Sequence, residues 1–364
     1  MPAFSDNLRD FYRGKRVLVT GHTGLKGSWL ALWLTKMGAK VSGIALAPTS
    51  DLSGFRANGL DEMMDSVMLD IRDRDRLKVT VDKMRPEIVF HLAAQAIVGS
   101  SYEDPAATFD VNVLGSVNVL ECVRSTPGVR AAVMITSDKC YENVEQIWGY
   151  REQDRLGGSD PYSASKACAE VAIHAYQQSF FLRDPAPRVA SARAGNVIGG
   201  GDWSSFRLIP DCIRALRDRN KIQIRNPQAT RPWQFVLEPL GGYLALGMHL
   251  AQSREFAGAW NFGPPVDTAN TVERGTREVI RIWGEGSLEL VPGTFHESLA
   301  LQLDCTKAHH YLGWRTVLDF SQTMEWTTAW YKQQHASGDR SMRDFSCGQI
   351  ERFEQLLNSR LGLQ

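Results

Sequence analysis

The sequence lacks the cysteine, histidine and apolar patterns that mark several classes of protein. Its eight histidines show no HxxxH or HExxH spacing, so we assign no metal site. No segment approaches the run of about 18 apolar residues that spans a membrane, and the first residues lack the apolar stretch of a secretion signal. The six cysteines form no CxxC pair, which argues against a disulfide framework or a structural zinc site. We therefore expect a cytoplasmic protein with reduced thiols and no membrane contact.

Net charge is also absent, because 41 lysines and arginines balance 41 aspartates and glutamates. Such a balance argues against a broad phosphate-tracking surface, so we expect no nucleic acid as a partner. A local basic pocket for a small anion remains compatible with it. The 364 residues, 43% of them hydrophobic and 23% charged, are enough for about two folded domains.

Short apolar runs rich in β-branched residues alternate with amphipathic stretches in the first two-thirds of the chain. The runs predict strands at Arg16–Thr20, Val41–Ala45, Ser66–Leu69, Glu87–Leu92 and Ala131–Thr136. One intervening helix begins after Asp104 at Pro105 and should carry four apolar residues on one side: Phe109, Val113, Val117 and Leu120. Another carries Leu25, Trp29 and Trp33 on one face and ends near Gly38.

This alternation predicts an α/β fold: a Rossmann-like, doubly wound parallel sheet with helices on both faces. The regular pattern is lost after about Gly195, where glycine- and proline-rich stretches begin. We expect residues 1–195 to form a dinucleotide-binding domain, to which segments around 235–265 return. Residues 196–364 should form mainly a smaller, partly irregular substrate-binding lobe and a C-terminal helix.

A glycine-rich turn joins the first strand to the first long helix. Gly21, Gly24 and Gly27 have GxxGxxG spacing, which lets a phosphate group approach the backbone amides at the start of a helix. The same glycines would also serve a tight strand-to-helix turn that binds nothing. No carboxylate precedes Asp51 and no arginine precedes Arg56 after the second strand. Thr49 or Ser50 could still bind a plain ribose, which favours NAD over NADP.

Asp70 follows the third predicted strand and has two interpretations. Its carboxylate could accept a hydrogen bond from the amine of an adenine ring, or it could cap the helix that follows.

Two further segments carry groups for redox chemistry. Tyr162 and Lys166 are four residues apart on one helix that begins at Asp160-Pro161, and an ammonium group beside a phenol favours the phenolate. Such a pair can accept a proton from an alcohol near neutral pH, although YxxxK also occurs as an ordinary solvated helical pair. Ser137 lies at the end of the fifth strand, where parallel sheets bind ligands, and could contact the same oxygen.

These motifs together resemble the extended short-chain dehydrogenases/reductases, and within them the CDP-glucose 4,6-dehydratases. The resemblance spans about residues 15–330 and rests on TGHTGLKGSW, HLAAQAIV, TSDKCYEN, DPYSASKACAE, RAGNVIGGGDW and RPWQFVLEPLGGY. It implies NAD as cofactor, CDP-glucose as substrate, a homodimer, and a part in deoxysugar and O-antigen biosynthesis. It also implies oxidation at C4 of the sugar, elimination of water across C5 and C6, and return of hydride to C6. The alternatives are a nucleotide-sugar 4-epimerase and a non-catalytic NAD-binding protein.

The resemblance also assigns individual residues. It implies redox roles for Ser137, Tyr162 and Lys166 and elimination roles for Asp138 and Lys139. The implied cofactor contacts are Gly21, Thr23, Gly24, Leu25, Gly27, Asp70, Ile71, Ala93, Ala94, Tyr162 and Lys166, and the implied substrate contacts are Gln95, Asn196 and Arg231.

Lys139 departs from the thymidine-diphosphate branch of the dehydratases, where glutamate at the matching position removes the C5 proton. A buried lysine can act as that base if part of it is neutral, or it can stabilise an enolate as a cation. His22 and Lys26 within the glycine turn are further departures, together with the missing ribose carboxylate.

Overall fold

A parallel sheet forms the centre of the computed structural model, which describes residues 4–265, 270–291, 301–338 and 341–361. The strands are β1 (Arg16–Thr20), β2 (Lys40–Ala45), β3 (Asp65–Met68), β4 (Ile88–His91), β5 (Ala131–Ile135), β6 (Arg188–Arg193), β7 (Val197–Ile198), β8 (Ile222–Ile224), β9 (Thr230–Arg231), β10 (Gln234–Phe235), β11 (Gly258–Asn261), β12 (Asn270–Thr271) and β13 (Leu288–Leu290). Seven of them pair in parallel in the order β11-β6-β5-β4-β1-β2-β3. The predicted Rossmann-like sheet is confirmed, with each of the five predicted strands within two residues of its expected bounds.

Helices cover both faces of this sheet. They are α1 (Phe4–Tyr12), α2 (Leu25–Lys36), α3 (Gly54–Ala57), α4 (Arg74–Met84), α5 (Val98–Glu103), α6 (Pro105–Phe109), α7 (Gly115–Ser125), α8 (Pro161–Phe180), α9 (Leu208–Arg217), α10 (Leu237–Gln252), α11 (Val272–Trp283), α12 (Thr306–Leu312), α13 (Phe320–Ala336) and α14 (Arg343–Leu361). The short strands outside the central sheet pair as β7 with β10, β8 with β13, and β9 with β12. β11 extends the central sheet next to β6, so the chain returns to the first domain after the substrate-lobe segments.

Helix α2 is buried around its whole circumference rather than along one face. Every residue from Gly27 to Leu34 is buried, because α14 covers the side that faces away from the sheet. The indole of Trp33 meets the ring of Phe353 edge-on and donates a hydrogen bond to Glu354 at 2.8 Å. The C-terminal helix therefore packs directly on the helix that follows the glycine turn.

The stretch from α6 to α7 differs from its predicted apolar face. Asp104 caps it as expected, accepting a hydrogen bond from the amide of Ala107, but a π-helical turn at Asp110–Leu114 interrupts it. The residues turned most fully inward include polar Thr108, Asn112 and Ser116, whereas Phe109, Val113 and Val117 are half-buried. Of the predicted apolar side only Leu120 is fully buried, and Asn112 lies inside instead because it binds the loop after β4 and Ser165 of α8.

By length and composition alone, the helical stretch Pro105–Ser125 could cross a membrane. It packs here against α4 and α8, and core helices of this kind pass the same test.

Candidate active site

Close packing requires glycine at two positions of the glycine turn, and the third position is open to a ligand. A Cβ atom on Gly21 would lie 2.6 Å from the amide nitrogen of Ala93, and one on Gly27 would lie 2.1 Å from the carbonyl oxygen of Gly21. Gly24, by contrast, is exposed and has space around it. Helix α2 begins after Gly24, with no side-chain cap and no acidic residue in its first turn. No side chain therefore accepts a cap hydrogen bond from the first amides of this helix. Such a helix start suits the pyrophosphate of a dinucleotide.

The other predicted cofactor residues surround the ends of β2, β3 and β4. Thr23 donates a hydrogen bond to the carbonyl of Leu46 at 2.9 Å, which ties the glycine turn to the loop after β2. Ile71 packs against Gly115, where a Cβ atom would come within 2.5 Å of its side chain. Ala93 and Ala94 follow β4, and the amide of Ala93 donates to the hydroxyl of Thr20 at 3.3 Å.

Asp70 is paired with its own loop. Its carboxylate accepts hydrogen bonds from the guanidinium and the amide of Arg72, and the side-chain hydrogen bond is the main cause that lowers the pKa of Asp70. The cap of α4 is Asp73, which accepts from the amide of Arg76, and not Asp70. Of the two interpretations of Asp70, helix capping is thus wrong, and the adenine contact stays a prediction.

Ser137 joins the predicted redox and elimination groups at the end of β5. Its hydroxyl donates a hydrogen bond to Asp138 Oδ1 at 2.9 Å, and it also shares a hydrogen bond with Tyr162. Ser137 and Asp138 are both buried. The carboxylate of Asp138 lies directly against Gly195, where a Cβ atom would come within 1.8 Å of Oδ2. The structure therefore brings together the serine, the tyrosine and the aspartate that the sequence placed in three motifs.

Tyr162 and Lys166 lie on α8 as predicted, since Asp160 caps this helix and Pro161 occupies its first turn. Both side chains are buried, and Lys166 Nζ is 6.0 Å from the centre of the Tyr162 ring. Burial raises the pKa of Tyr162 to about 12 and lowers the pKa of Lys166 to about 8. Burial therefore opposes the effect expected of the Lys166 ammonium group, and the role of Tyr162 as a base near neutral pH stays a prediction.

Lys26 reaches the same cluster from the glycine turn. Its Nζ is 5.9 Å from the centre of the Tyr243 ring on α10. Burial, followed by the positive charges of Lys166 and Arg207, lowers the pKa of Lys26 to about 7, while Asp138 acts in the opposite direction. The sequence singled out Lys26 as a departure from the usual turn but gave no sign that its side chain lies near Tyr243.

The three predicted substrate residues lie in different surroundings. Gln95 is engaged within its own loop, since its amide group donates to Thr108 at 2.9 Å and accepts from the amide of Ile97. Asn196 has a left-handed backbone with φ of 52° and accepts a hydrogen bond from the amide of Gln234. Arg231 lies half-buried on β9, three residues before Gln234.

A small cavity links the segment after Arg231 to Asp138. Its lining residues are Asp138, Gly195, Pro232, Gln234, Gly263, Pro264, Leu301 and Leu303. Asn196 and the strip at 231–234 therefore flank the Asp138 side of the centre, and contact of Gln95, Asn196 and Arg231 with a substrate stays a prediction.

A buried ion pair behind the site was missed by the sequence reasoning. Arg193 on β6 donates to Glu170 on α8 at 2.8 Å, and both side chains are 4% exposed. Glu170 also accepts hydrogen bonds from the hydroxyls of Thr136 and Ser191. The only signal in the sequence was Glu170 four residues after Lys166, which places it on the same face of α8.

Fold and site together define an oxidoreductase-type centre of the extended short-chain dehydrogenases/reductases, with a serine, a tyrosine and a lysine beside a dinucleotide-binding turn. The family model for GDP-mannose 4,6 dehydratase matches residues 18–259. The chain is 46% identical over 331 residues, 89% of its length, to a CDP-glucose 4,6-dehydratase of Salmonella typhimurium, 92% of which is covered. The chain therefore belongs to the nucleotide-sugar 4,6-dehydratase family that this model represents.

Solved structures agree with this fold. An epimerase from Methanothermobacter thermautotrophicus is 26% identical with a TM-score of 0.80, covering 92% of this chain and 96% of that one. The dTDP-glucose 4,6-dehydratase of Streptomyces venezuelae, solved with NAD bound, superposes with a TM-score of 0.76 at 23% identity over 88% of this chain and 98% of that one.

The contact between Gly195 and Asp138 predicts the effect of one added methyl group. Gly195→Ala would push the Asp138 carboxylate out of its place, so we expect 4,6-dehydratase turnover to fall about a hundredfold, the scale of a displaced acid-base group. Thermal unfolding and steady-state rates measure fold and function separately. Gly348→Ala on α14, where a Cβ atom meets nothing within 4 Å, is the control and should keep both. A fully active Gly195→Ala protein would contradict a role for Asp138 at this position.

Proposed function

We propose that the protein is a CDP-glucose 4,6-dehydratase, which converts CDP-D-glucose to CDP-4-dehydro-6-deoxy-D-glucose and water with NAD as its cofactor. The observation that carries the proposal is the 46% identity to a relative of that name over most of both chains. The hydrogen-bonded series Tyr162, Ser137 and Asp138 supports it, because oxidation and elimination each need one of its ends.

The residues around the glycine turn fit a dinucleotide. The amides from Leu25 onward, at the start of α2, would meet its pyrophosphate, and Gly24 itself adds no side chain there. Tyr162 and Lys166 would face its nicotinamide end. When bound, NAD supplies the redox chemistry, since it takes hydride from C4 of the sugar and gives it back at C6.

The protein groups divide the proton transfers between them. Tyr162 accepts the proton of the C4 hydroxyl, and Ser137 holds the same oxygen by a hydrogen bond. The ketone formed at C4 acidifies the neighbouring C5 proton, which passes to Lys139 or to solvent and leaves an enolate. Asp138 donates a proton to the C6 hydroxyl, which leaves as water while the electrons of the enolate form the C5–C6 double bond. When hydride is returned to C6, C5 regains a proton. Ser137 contacts both Tyr162 and Asp138, so one hydroxyl connects the two stages.

The nucleotide end of the substrate is assigned to the lobe after β6. Arg231 presents a guanidinium group, whose paired donors match phosphate oxygens, and Asn196 lies on the same side of Asp138. Gln95 lies in the loop after β4, where it is held by Thr108 and Asn112. The proposal gives these three residues the diphosphate and sugar contacts.

A nucleotide-sugar 4-epimerase is the second candidate, because the chain is also 28% identical to a UDP-glucose 4-epimerase of Mycolicibacterium smegmatis over 88% of its length. An epimerase uses the serine, tyrosine and lysine but has no elimination step for Asp138 and Lys139. The buried Asp138, hydrogen-bonded to Ser137, favours the dehydratase.

The proposal predicts a 4-keto sugar from CDP-glucose and NAD. Its alkali-induced absorbance should appear with the wild-type protein, and a deuterium placed at C4 should be recovered at C6. Tyr162→Phe should lower the rate at least about a hundredfold, because it removes the group that accepts the C4 proton. Conversion to CDP-galactose would identify the epimerase, and absence of any product would leave only cofactor binding.

Lys139 has two candidate roles in the reaction, and exchange of the C5 proton with solvent distinguishes them. If its amine removes the C5 proton, Lys139→Met should abolish deuterium exchange at C5 of the substrate. If it stabilises the enolate as a cation, exchange should slow by about the amount that turnover does, without vanishing. Mass spectrometry of the sugar recovered from deuterated water measures this. We favour the stabilising part, and normal exchange in the variant would exclude the base.

We also propose a cytoplasmic homodimer, assembled through the stretch Pro105–Ser125 and helix α8. Leu114 and Val171 are exposed, and the half-buried Phe109, Val113 and Val117 belong to neither core cluster. A second copy of the same helices would cover this apolar face. The six unpaired cysteines are consistent with a reducing compartment. Sedimentation should give dimers at micromolar concentration, and a monomer there would reject the assembly.

A further inference from the structure

Gln234 on β10 is a buried glutamine that uses only the nitrogen end of its amide group. The residue is 2% exposed. Its Nε2 donates hydrogen bonds to the carbonyl oxygens of Gly195 at 3.1 Å and Phe262 at 3.0 Å. Because a carbonyl oxygen only accepts hydrogen bonds, these two contacts fix which end of the amide carries the nitrogen. The other end, Oε1, is buried and accepts a hydrogen bond from no group in the part of the chain that the structure describes.

The small cavity beside Gln234 is shared with Asp138. Of the eight residues that line it, only these two have polar side chains. Gly195 lies between them, since it accepts the hydrogen bond from Gln234 and a Cβ atom on it would come within 1.8 Å of Asp138 Oδ2. The cavity has a volume of about 10 Å³ for the centre of a water molecule, which is room for about one such molecule. The space therefore fits a single hydroxyl group or water.

A buried amide oxygen without a donor is not by itself a binding site, as Gln349 on α14 shows. Its Nε2 donates to the carbonyl oxygen of Trp326 at 2.9 Å, and its Oε1 has no donor among the described residues. Gln349 is not among the residues that line the cavity with Asp138. Gln234 differs because its amide and a carboxylate border the same space. Both groups are acceptors when Asp138 is ionised, so a molecule that fits between them must supply hydrogens to both.

The predicted substrate residues border the same place. The backbone amide of Gln234 donates to the carbonyl oxygen of Asn196 at 3.1 Å. Pro232 lines the cavity and directly follows Arg231 in the chain. The strip to which the diphosphate contacts are assigned therefore leads to the cavity beside Asp138.

We propose that the cavity between Asp138 and Gln234 receives the oxygen at C6 of the sugar, and that Gln234 Oε1 accepts a hydrogen bond from it before and after the C6–O bond breaks. This inference rests on the proposed function and adds a substrate-contacting residue to it. Asp138 gives its proton to the C6 oxygen, the C6–O electron pair leaves with that oxygen, and the enolate electrons form the C5–C6 double bond. The water so formed has two hydrogens, and it meets two acceptors, the Asp138 carboxylate and Gln234 Oε1.

The test compares two leaving groups in two proteins. CDP-6-deoxy-6-fluoroglucose gives the same 4-keto sugar as CDP-glucose but loses fluoride from C6, and fluorine has no hydrogen to donate to Gln234. Gln234→Met should therefore slow elimination from CDP-glucose about tenfold, the scale of one lost hydrogen bond, and leave elimination from the fluoro sugar unchanged. Formation of the 4-keto sugar measures both rates. With CDP-glucose the absorbance of the reduced cofactor should also build up, because oxidation at C4 precedes the slowed step.

Gln349→Met is the matched control, because it makes the same chemical change in a second buried glutamine. It should keep the wild-type rates with both substrates. Gly195→Ala, which displaces Asp138 itself, should slow both.

Two results would overturn the inference. Equal slowing of both substrates by Gln234→Met would mean that Gln234 acts only by holding Gly195 and Asp138 in place, and unchanged rates with both would leave it no part in the reaction. Should Gln234→Met not fold, Gln234→Leu is judged by the same ratio of rates. Wild-type protein that forms no 4-keto sugar from either substrate would refute the proposed function and with it this inference, whereas product formation with equal slowing would refute the inference alone.

Discussion

The buried pair of Glu170 and Arg193 is the interaction on which the active-site geometry depends. It joins α8, which carries Tyr162 and Lys166, to β6, and through the hydroxyl of Thr136 it also holds the end of β5. Burial alone would raise the pKa of Glu170, but Arg193 and the hydroxyl hydrogen bonds keep it below its usual value, so the carboxylate stays charged. Removing one partner of such a pair typically costs about 3–5 kcal/mol of stability, because the other charge is left buried alone. Ser137 can reach both Tyr162 and Asp138 because this pair fixes the distance between strand and helix.

The centre that this pair holds in place contains charges of both signs. The cations are Lys26, Lys166 and Arg207, and the carboxylates that act on Tyr162 or bind Arg207 are Asp138, Asp160 and Asp202. A phenolate, an enolate and a substrate diphosphate are all anions, so the three cations favour the species formed during the proposed reaction.

Sequence patterns predicted those features that depend on local periodicity or on neighbours within one motif. The five strands, the glycine turn and the YxxxK helix follow from residues a few positions apart, and the structure contains them where expected. The polar inward face of the Pro105–Ser125 stretch was not predictable, because Asn112 is buried to satisfy groups on β4 and α8 that are distant in sequence. The high pKa of Tyr162 was missed for a similar reason: spacing places Lys166 nearby but says nothing of how much water the fold excludes.

The surroundings of Arg207 and the contacts of Tyr331 were not predictable from the sequence either, because they depend on residues far apart in the chain. Tyr331 lies on α13, more than a hundred residues after the segment that it binds. Its hydroxyl is within hydrogen-bond distance of the carbonyl oxygens of both Gly199 and Asp202. Trp330 beside it packs on Gly200, where a Cβ atom would come within 2.0 Å of the indole. Gly200 of the motif GNVIGGGDW is therefore required by a helix from the far end of the chain. Helix α14 packs on α2, which follows the glycine turn, and α13 binds the segment at 199–202. The C-terminal helices therefore fix the predicted cofactor-binding turn and this segment relative to each other.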